Sequence, residues 1–275
     1  MIRRMYRTPT IIITACLFIM ALVFVFPFYS MIMMSTQYSE DIYKGIPLLP
    51  GKDLITNLKT VFGAHFEIFY FNSLLVAISS TLLSVLVSML CGYSLAKYNF
   101  RGKNVFFMII LVTMMVPAQL GLVAFVIEMK QIHWINTLLP LIIPPAATGF
   151  GVYWMRNYII EAIPQEMLES ARIDGATEPR ILYSISVPCM KPALFSLALM
   201  NFVTSWNSFL IPLILLNKPA IYTVPIGIIN LNSAYRSDIA AKIAALSLGT
   251  LPLLALFAAT SKSFIRGITL GAVKG

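Results

Sequence analysis

Long apolar runs recur along this chain, and no other feature restricts its fold so severely. Each is about 20 residues, enough to cross a hydrocarbon core ~30 Å thick at ~1.5 Å per residue. Residues are 59% hydrophobic and 11% charged, with a mean hydropathy of +0.83, which excludes a soluble domain of ordinary composition. A spanning β-barrel would instead show short alternating strands, and the sequence has none of that pattern. The fold class is therefore all-α and polytopic. Six spanning helices are expected near 10–34, 71–96, 104–128, 137–157, 193–216 and 240–261, in a single membrane domain covering 1–275.

Lysine and arginine orient the bundle. Thirteen of the 20 lie in one set of loops and span ends: Arg3, Arg4, Arg7, Lys97, Arg101, Lys103, Arg156, Arg172, Arg180, Lys191, Lys262, Arg266 and Lys274. Seven lie in the other, and the richer set belongs in the cytoplasm, together with both termini. The net charge of +9 is explained by this bias and needs no nucleic-acid partner. The apolar run from Thr10 to about Met34 is too long for the core of a cleaved signal and is read as a retained span.

Segment 35–70 is the longest external loop. Leu54, Leu58, Val61 and Phe62 fall at helical spacing, which predicts a short amphipathic helix on the outer face. Phe66, Phe69, Tyr70 and Phe71 fit an interfacial aromatic belt. His65 and His133 have no partner in sequence. Cys16, Cys91 and Cys189 show neither a CxxC nor a histidine pairing, so no metal site or disulfide framework is indicated.

Within the spans the polar residues are few. Ala77, Ser80, Ser84, Ser88, Cys91 and Gly92 form a small-residue stripe on the second span, suited to close helix packing. Pro117, Pro140, Pro144, Pro145, Pro212 and Pro252 interrupt later spans and allow bends. In the fifth, Asn201, Thr204, Ser205 and Ser208 occupy one helical face, with Asn207 beside it. Trp206 points ~100° away unless the helix breaks there. These groups can hydrogen-bond a sugar along a solute path, or equally cross-link helices.

No Asp, Glu, Lys, Arg or His lies in the middle of an expected span; Glu128, Arg156 and Lys242 sit at ends. Ion-driven transporters carry an ionisable relay or ion site at depth, and intramembrane hydrolases need a nucleophile–base pair or a metal. A phosphate-binding GxxxxGK[ST] is missing as well. The chain thus offers no catalytic residue, metal site or cofactor of its own. Energy for uphill transport must enter through a partner.

One segment is built for such an entry. Residues 161–192, EAIPQEMLESARIDGATEPRILYSISVPCMKP, read as two short cytoplasmic helices. Pro164 suits the first turn and Gly175 a left-handed stop. Thr177 caps the second helix, and Pro188 is expected to end it.

Glu169, Ala171, Gly175, Ile185 and Pro188 stand at the spacing E-x-A-x-x-x-G-x9-I-x-x-P. This resembles the EAA motif of the membrane subunits of ABC importers. ARIDGAT and VPCMKPAL resemble its carbohydrate-uptake branch, and the tail FIRGITLGAVKG is similar to the ending of the second permease of maltose-type systems, the MalG-like subunits. The resemblance covers essentially the whole chain. It implies a type I importer permease that pairs with a second homologous permease, two ATP-binding subunits below and an extracytoplasmic sugar-binding protein above, in the inner membrane of a prokaryotic cell. ATP and Mg belong to the partner subunits.

Carried over by position, the resemblance implies that Glu169, Ser170, Ala171, Asp174, Gly175, Ile185 and Pro188 dock on the ATPase. Glu169 faces a basic group there, and Ile185 and Pro188 pack the second helix back on the bundle. Gly271, Lys274 and Gly275 of the tail, 262–275, reach towards the ATPase interface. Ser170 departs from the usual alanine, and Val187 from leucine. Trp206, Asn207 and Phe209 resemble the branch's W-N-x-F, but Ser208 stands where a glutamate is common. The cargo implied is a sugar, with glycerol phosphate or a peptide as the alternative and a non-transporting scaffold as the distant one.

Overall fold

The computed structural model describes residues 7–231 and 238–272, with side chains over 12–117, 119–231 and 238–260. Its helices are α1 (Arg7–Ser35), α2 (Leu54–Gly63), α3 (Phe66–Lys97), α4 (Lys103–Met115), α5 (Leu122–Gln131), α6 (Leu139–Ile142), α7 (Gly149–Ala162), α8 (Gln165–Ile173), α9 (Glu178–Trp206), α10 (Leu210–Leu215), α11 (Val224–Asn230) and α12 (Ile239–Ala272). Among the described residues there is no strand. Among the described residues four helical stretches are long and apolar enough to cross a membrane: Ile12–Ser35, Phe66–Lys97, Glu178–Trp206 and Ile239–Thr260. The bent pair Lys103–Met115 and Gln119–Gln131 can supply a fifth.

Two expected spans are not straight helices. Interval 104–128 turns by 86° between its halves. The cause is local: Val116 is extended (φ −87°, ψ 120°) ahead of Pro117, the conformation a proline ring favours in the residue before it. Interval 137–157 is assembled from α6, a 3-10 turn at Pro144–Ala146 and α7. Pro140, Pro144 and Pro145 deny the backbone its regular bonds there, and Thr148 restarts the helix by accepting from the Gly151 amide at 3.3 Å.

Residue proximity divides the chain into two compact units, Met1–Glu67 with Gly227–Ala259, and Ile68–Ile226 with Thr260–Gly275. In the first, the loop after α1 is tied down by polar groups. Asn57, buried on α2, donates to the Ser35 and Gln37 carbonyls at 2.8 and 2.9 Å. Ser39 donates to Asp238 Oδ1 at 2.7 Å, and Asp238 caps α12 through the Ala241 amide. The amphipathic helix expected at 54–62 is therefore anchored by Asn57 and Val61, while Leu54 and Phe62 stay exposed. Phe66 also departs from the aromatic belt, being 2% exposed. His65 takes a left-handed φ of 59°, so its place is a turn.

In the second unit α3 and α7 approach closely. A β-carbon on Gly92 would lie 2.7 Å from Met155 Cβ, and one on Gly151 would lie 2.1 Å from Ser88 Oγ. The small-residue stripe of α3 is buried at Ala77, Ser80, Ser84 and Ser88; Cys91 departs from it and is exposed. Met89, Tyr93, Met155, Ile159, Met190 and Leu197 form the core beside this contact.

Candidate functional site

The segment 161–192 is a bent lever whose inner face belongs to the bundle. Pro164 stands just outside α8 as its cap, with ψ 144°, rather than in its first turn. Leu168, Ala171 and Ile181 are buried with Ile163 in the same core as Met155 and Leu197. The turn after α8 is closed by two backbone bonds, Ala176 N to Ala171 O and Gly175 N to Arg172 O, both at 3.0 Å. That pairing is a Schellman motif, and it needs the left-handed φ of +80° that Gly175 adopts.

The opposite face of α8 is open. Glu166, Glu169, Ser170 and Asp174 are exposed, and so is Ile173, at 87%. Glu169 and Ile173 are four residues apart and share this face. Sequence reasoning passed over Ile173, although an apolar residue four beyond Glu169, off the Leu168–Ala171 face, is a legible signal.

Pro188 does not end the second helix. Ile181–Ser186 forms a π-helical stretch, and α9 continues through Pro188 and Pro192 to Trp206. Pro188 falls in the first turn of the regular α segment that follows the π stretch, a position where a proline is tolerated. Ile185 is half-buried against the core, whereas Pro188 is exposed.

Polar contacts fix the angle of the lever. Arg172 Nε donates to Glu178 Oε1 at 2.7 Å, and the Tyr98 hydroxyl donates to Glu178 Oε2 at 2.7 Å. The bond to Glu178 raises the Arg172 pKa above its ordinary value. Burial, then the Glu178 carboxylate, pushes the Tyr98 phenol up to about 12. Lys97 Nζ caps the Ile163 carbonyl just ahead of Pro164. Eighty residues separate Tyr98 from Glu178, so no local pattern announces that contact.

A second feature lies between the broken helices: a cavity of ≈ 600 Å³. Ser80, Ser84, Asn201, Thr204, Ser205 and Ser208 contribute polar groups to its wall. Several already join α3 to α9. Ser80 donates to Ser205 Oγ and Asn201 Nδ2 to Ser84 Oγ, both at 3.0 Å. Thr204 donates to the Met200 carbonyl at 2.8 Å. The hydroxyl face thus cross-links helices and lines a cavity at once.

Trp206 and Asn207 stand apart from that wall. Trp206 is 3% exposed, stacked on Phe202 at 5.9 Å and edge-on to Tyr70 at 5.5 Å. Asn207 is exposed and donates to the Val203 carbonyl, ending the helix. The helix does break after Trp206, but its indole goes to aromatic packing and does not line the cavity. Glu128 of α5 does line it, a placement no span-end assignment suggested.

Gly271 lies near the end of α12, while Lys274 and Gly275 fall outside the described residues. Among the described residues no three His, Cys, Asp or Glu side chains gather as a metal site.

Residues 84–269 match the family described as binding-protein-dependent transport system inner membrane component. The chain is 31% identical over 270 residues to the arabinooligosaccharides transport system permease protein AraQ of Bacillus subtilis (strain 168), covering 96% of each chain. It is 30% identical to the trehalose/maltose transport system permease protein MalG of Thermococcus litoralis, covering 94% of each. In fold it is similar to a chain in the crystal structure of a bacterial ABC transporter involved in the import of the acidic polysaccharide alginate. The TM-score is 0.75 at 24% identity, over 95% of this chain and 98% of that one.

Proposed function

The chain belongs to the family of binding-protein-dependent transport system inner membrane components, and from that premise we propose that it is one permease half of an ATP-driven sugar importer. Its cargo is a saccharide or oligosaccharide, as the names of the AraQ and MalG relatives suggest. The chain sits in the inner membrane of a prokaryotic cell, with both termini and the 161–192 lever in the cytoplasm. It pairs with a second homologous permease, two ATP-binding subunits that hold ATP and Mg, and an extracytoplasmic sugar-binding protein.

The observation that carries this reading is the two-faced packing of α8. Leu168 and Ala171 are seated in the bundle core, so a push on the lever is felt by α7 and α9. Glu169, Ser170, Ile173 and Asp174 are left outward for a partner. In the complex Glu169 takes a charge-assisted bond from an ATPase Arg or Lys, which sets register more than affinity. Ile173 enters an apolar socket beside it. Gly175 and Ala171 supply the tight turn, Ile185 holds α9 to the core, and exposed Pro188 lies beside the docking surface. Gly271, Lys274 and Gly275 extend the tail towards the ATPase interface.

Closure of the ATPase dimer on ATP moves the two levers together and swings the bundle from inward-open to outward-open. The solute passes between the permeases, and the wall formed by Asn201, Thr204, Ser205 and Ser208 is this chain's share of the route. Trp206 and Asn207 act one layer back, fixing the end of α9.

Reconstitution in proteoliposomes tests the division of labour. Saccharide uptake is expected only when this chain, the second permease, the ATPase and a loaded binding protein are all present with internal ATP. Robust uptake by this chain alone would overturn the proposal.

A further inference from the structure

The break at Pro117 has a consequence for solute selection. A straight helix over 104–128 would carry Glu128 to its far end, ~36 Å from the start. Instead α5 leaves the axis of α4 at 86°, and Gly121, Ala124, Phe125 and Glu128, one helical face, line the cavity. Glu128 is the only charged side chain among the described residues of that wall. The remaining polar groups there are hydroxyls and one amide, so no cation stands on that wall beside it. The wall is otherwise proline, glycine and aliphatic or aromatic carbon, and Glu128, itself exposed, is the one carboxylate on it and sets the sign of the field in the cleft.

We propose that Glu128 is a specificity-determining residue that makes this cavity a charge filter, admitting neutral and cationic saccharides and repelling anionic ones. The inference rests on the cavity being part of the solute route. A carboxylate at this place serves neutral cargo, because it accepts hydrogen bonds from hydroxyls without demanding a counter-charge. It opposes uronates and sugar phosphates, whose charges meet no compensating Lys or Arg on the wall. The residue came to the wall by a bend, so its charge is invisible to any inspection of span interiors.

Thiol labelling reads the field directly and needs no cargo. In the assembled complex, with Cys16→Ser, Cys91→Ser and Cys189→Ser as background, Thr204→Cys places a reporter on the wall. A cationic trimethylammonium methanethiosulfonate is expected to react faster than its anionic sulfonate analogue, after normalising to free cysteine. Glu128→Gln should lower that ratio about tenfold, the low end of electrostatic focusing in a cleft. A ratio unchanged by Glu128→Gln overturns the filter, and failure of both reagents to label overturns the open cavity on which it depends. Neutral maltotriose or arabinotriose uptake by the unsubstituted complex separately tests the importer reading.

Discussion

Arg172 Nε donates to Glu178 Oε1 at 2.7 Å, so the two arms of the lever are clasped across the left-handed turn at Gly175. Both side chains are partly exposed, at 32% and 44%, and the pair is therefore screened. Glu178→Gln should cost no more than about 1 kcal/mol of stability, read as a shift in a reversible detergent-unfolding midpoint. Its larger effect should be on coupling, measured as more ATP hydrolysed per saccharide imported. Unaltered stoichiometry would leave the clasp without a mechanical role.

Beyond Gly175 and its own chain neighbours, nothing lies within 4 Å of the position a β-carbon would take there. A substitution there is opposed by backbone geometry alone. Gly175→Val should cost ~1–2 kcal/mol and weaken coupled uptake while membrane insertion persists. Gly175→Asn, which tolerates left-handed angles, should recover most of the uptake. Equal activity for the valine variant and the parent would rule the turn out as a constraint.

Glu169 and Ile173 project from the same exposed face of α8, away from buried Leu168 and Ala171. Glu169→Arg and Ile173→Asp should each abolish saccharide-stimulated ATP hydrolysis through failed assembly, seen as loss of the ATPase on co-purification. Leu168→Ala should act differently, costing ~2–5 kcal/mol in the bundle itself. Retention of the ATPase by both surface variants would refute docking at this face.

Gly92 meets α7 with room for no side chain, since a β-carbon would approach Met155 Cβ at 2.7 Å and the Arg156 amide at 2.9 Å. Backbone on one side cannot yield as a flexible side chain would. Gly92→Leu should separate α3 from α7 and destabilise by at least ~1–3 kcal/mol, lowering the thermal midpoint of the purified complex. A midpoint within error of the parent would mean that the helices can slide apart freely.

Trp206 is packed between Phe202 and Tyr70. Trp206→Phe should lower stability modestly and leave the order of preference among saccharides unchanged in uptake assays. Altered preference would put the indole back on the solute route.

Much of the lever was readable before any fold was known, because its instructions are local. The stop at Gly175 and the polar face carrying Glu169 follow from residue chemistry at short spacing. Pro188 was misread for the opposite reason. A proline suits the first turn of a helix as well as its end, and Pro188 stands in the first turn of Val187–Trp206, directly after the π stretch at Ile181–Ser186. Ile173 was visible in the sequence but overlooked, whereas the Tyr98–Glu178 contact, 80 residues apart, was not there to be found.

The sequence alone settled that this chain is helical and belongs in a membrane, since hydrocarbon penalises every unpaired backbone group and long apolar runs leave one remedy. The tertiary structure alone decided which polar residues face space and which face protein. Helical periodicity put Asn201, Ser205 and Ser208 on one side, but the partners Ser80 and Ser84 lie more than a hundred residues away. Glu128 shows the difference most sharply: its position along the chain marks a helix end, and only the bend at Pro117 turns it to the cavity wall. Periodicity is a property of one helix, while a cavity is made by the angles between several.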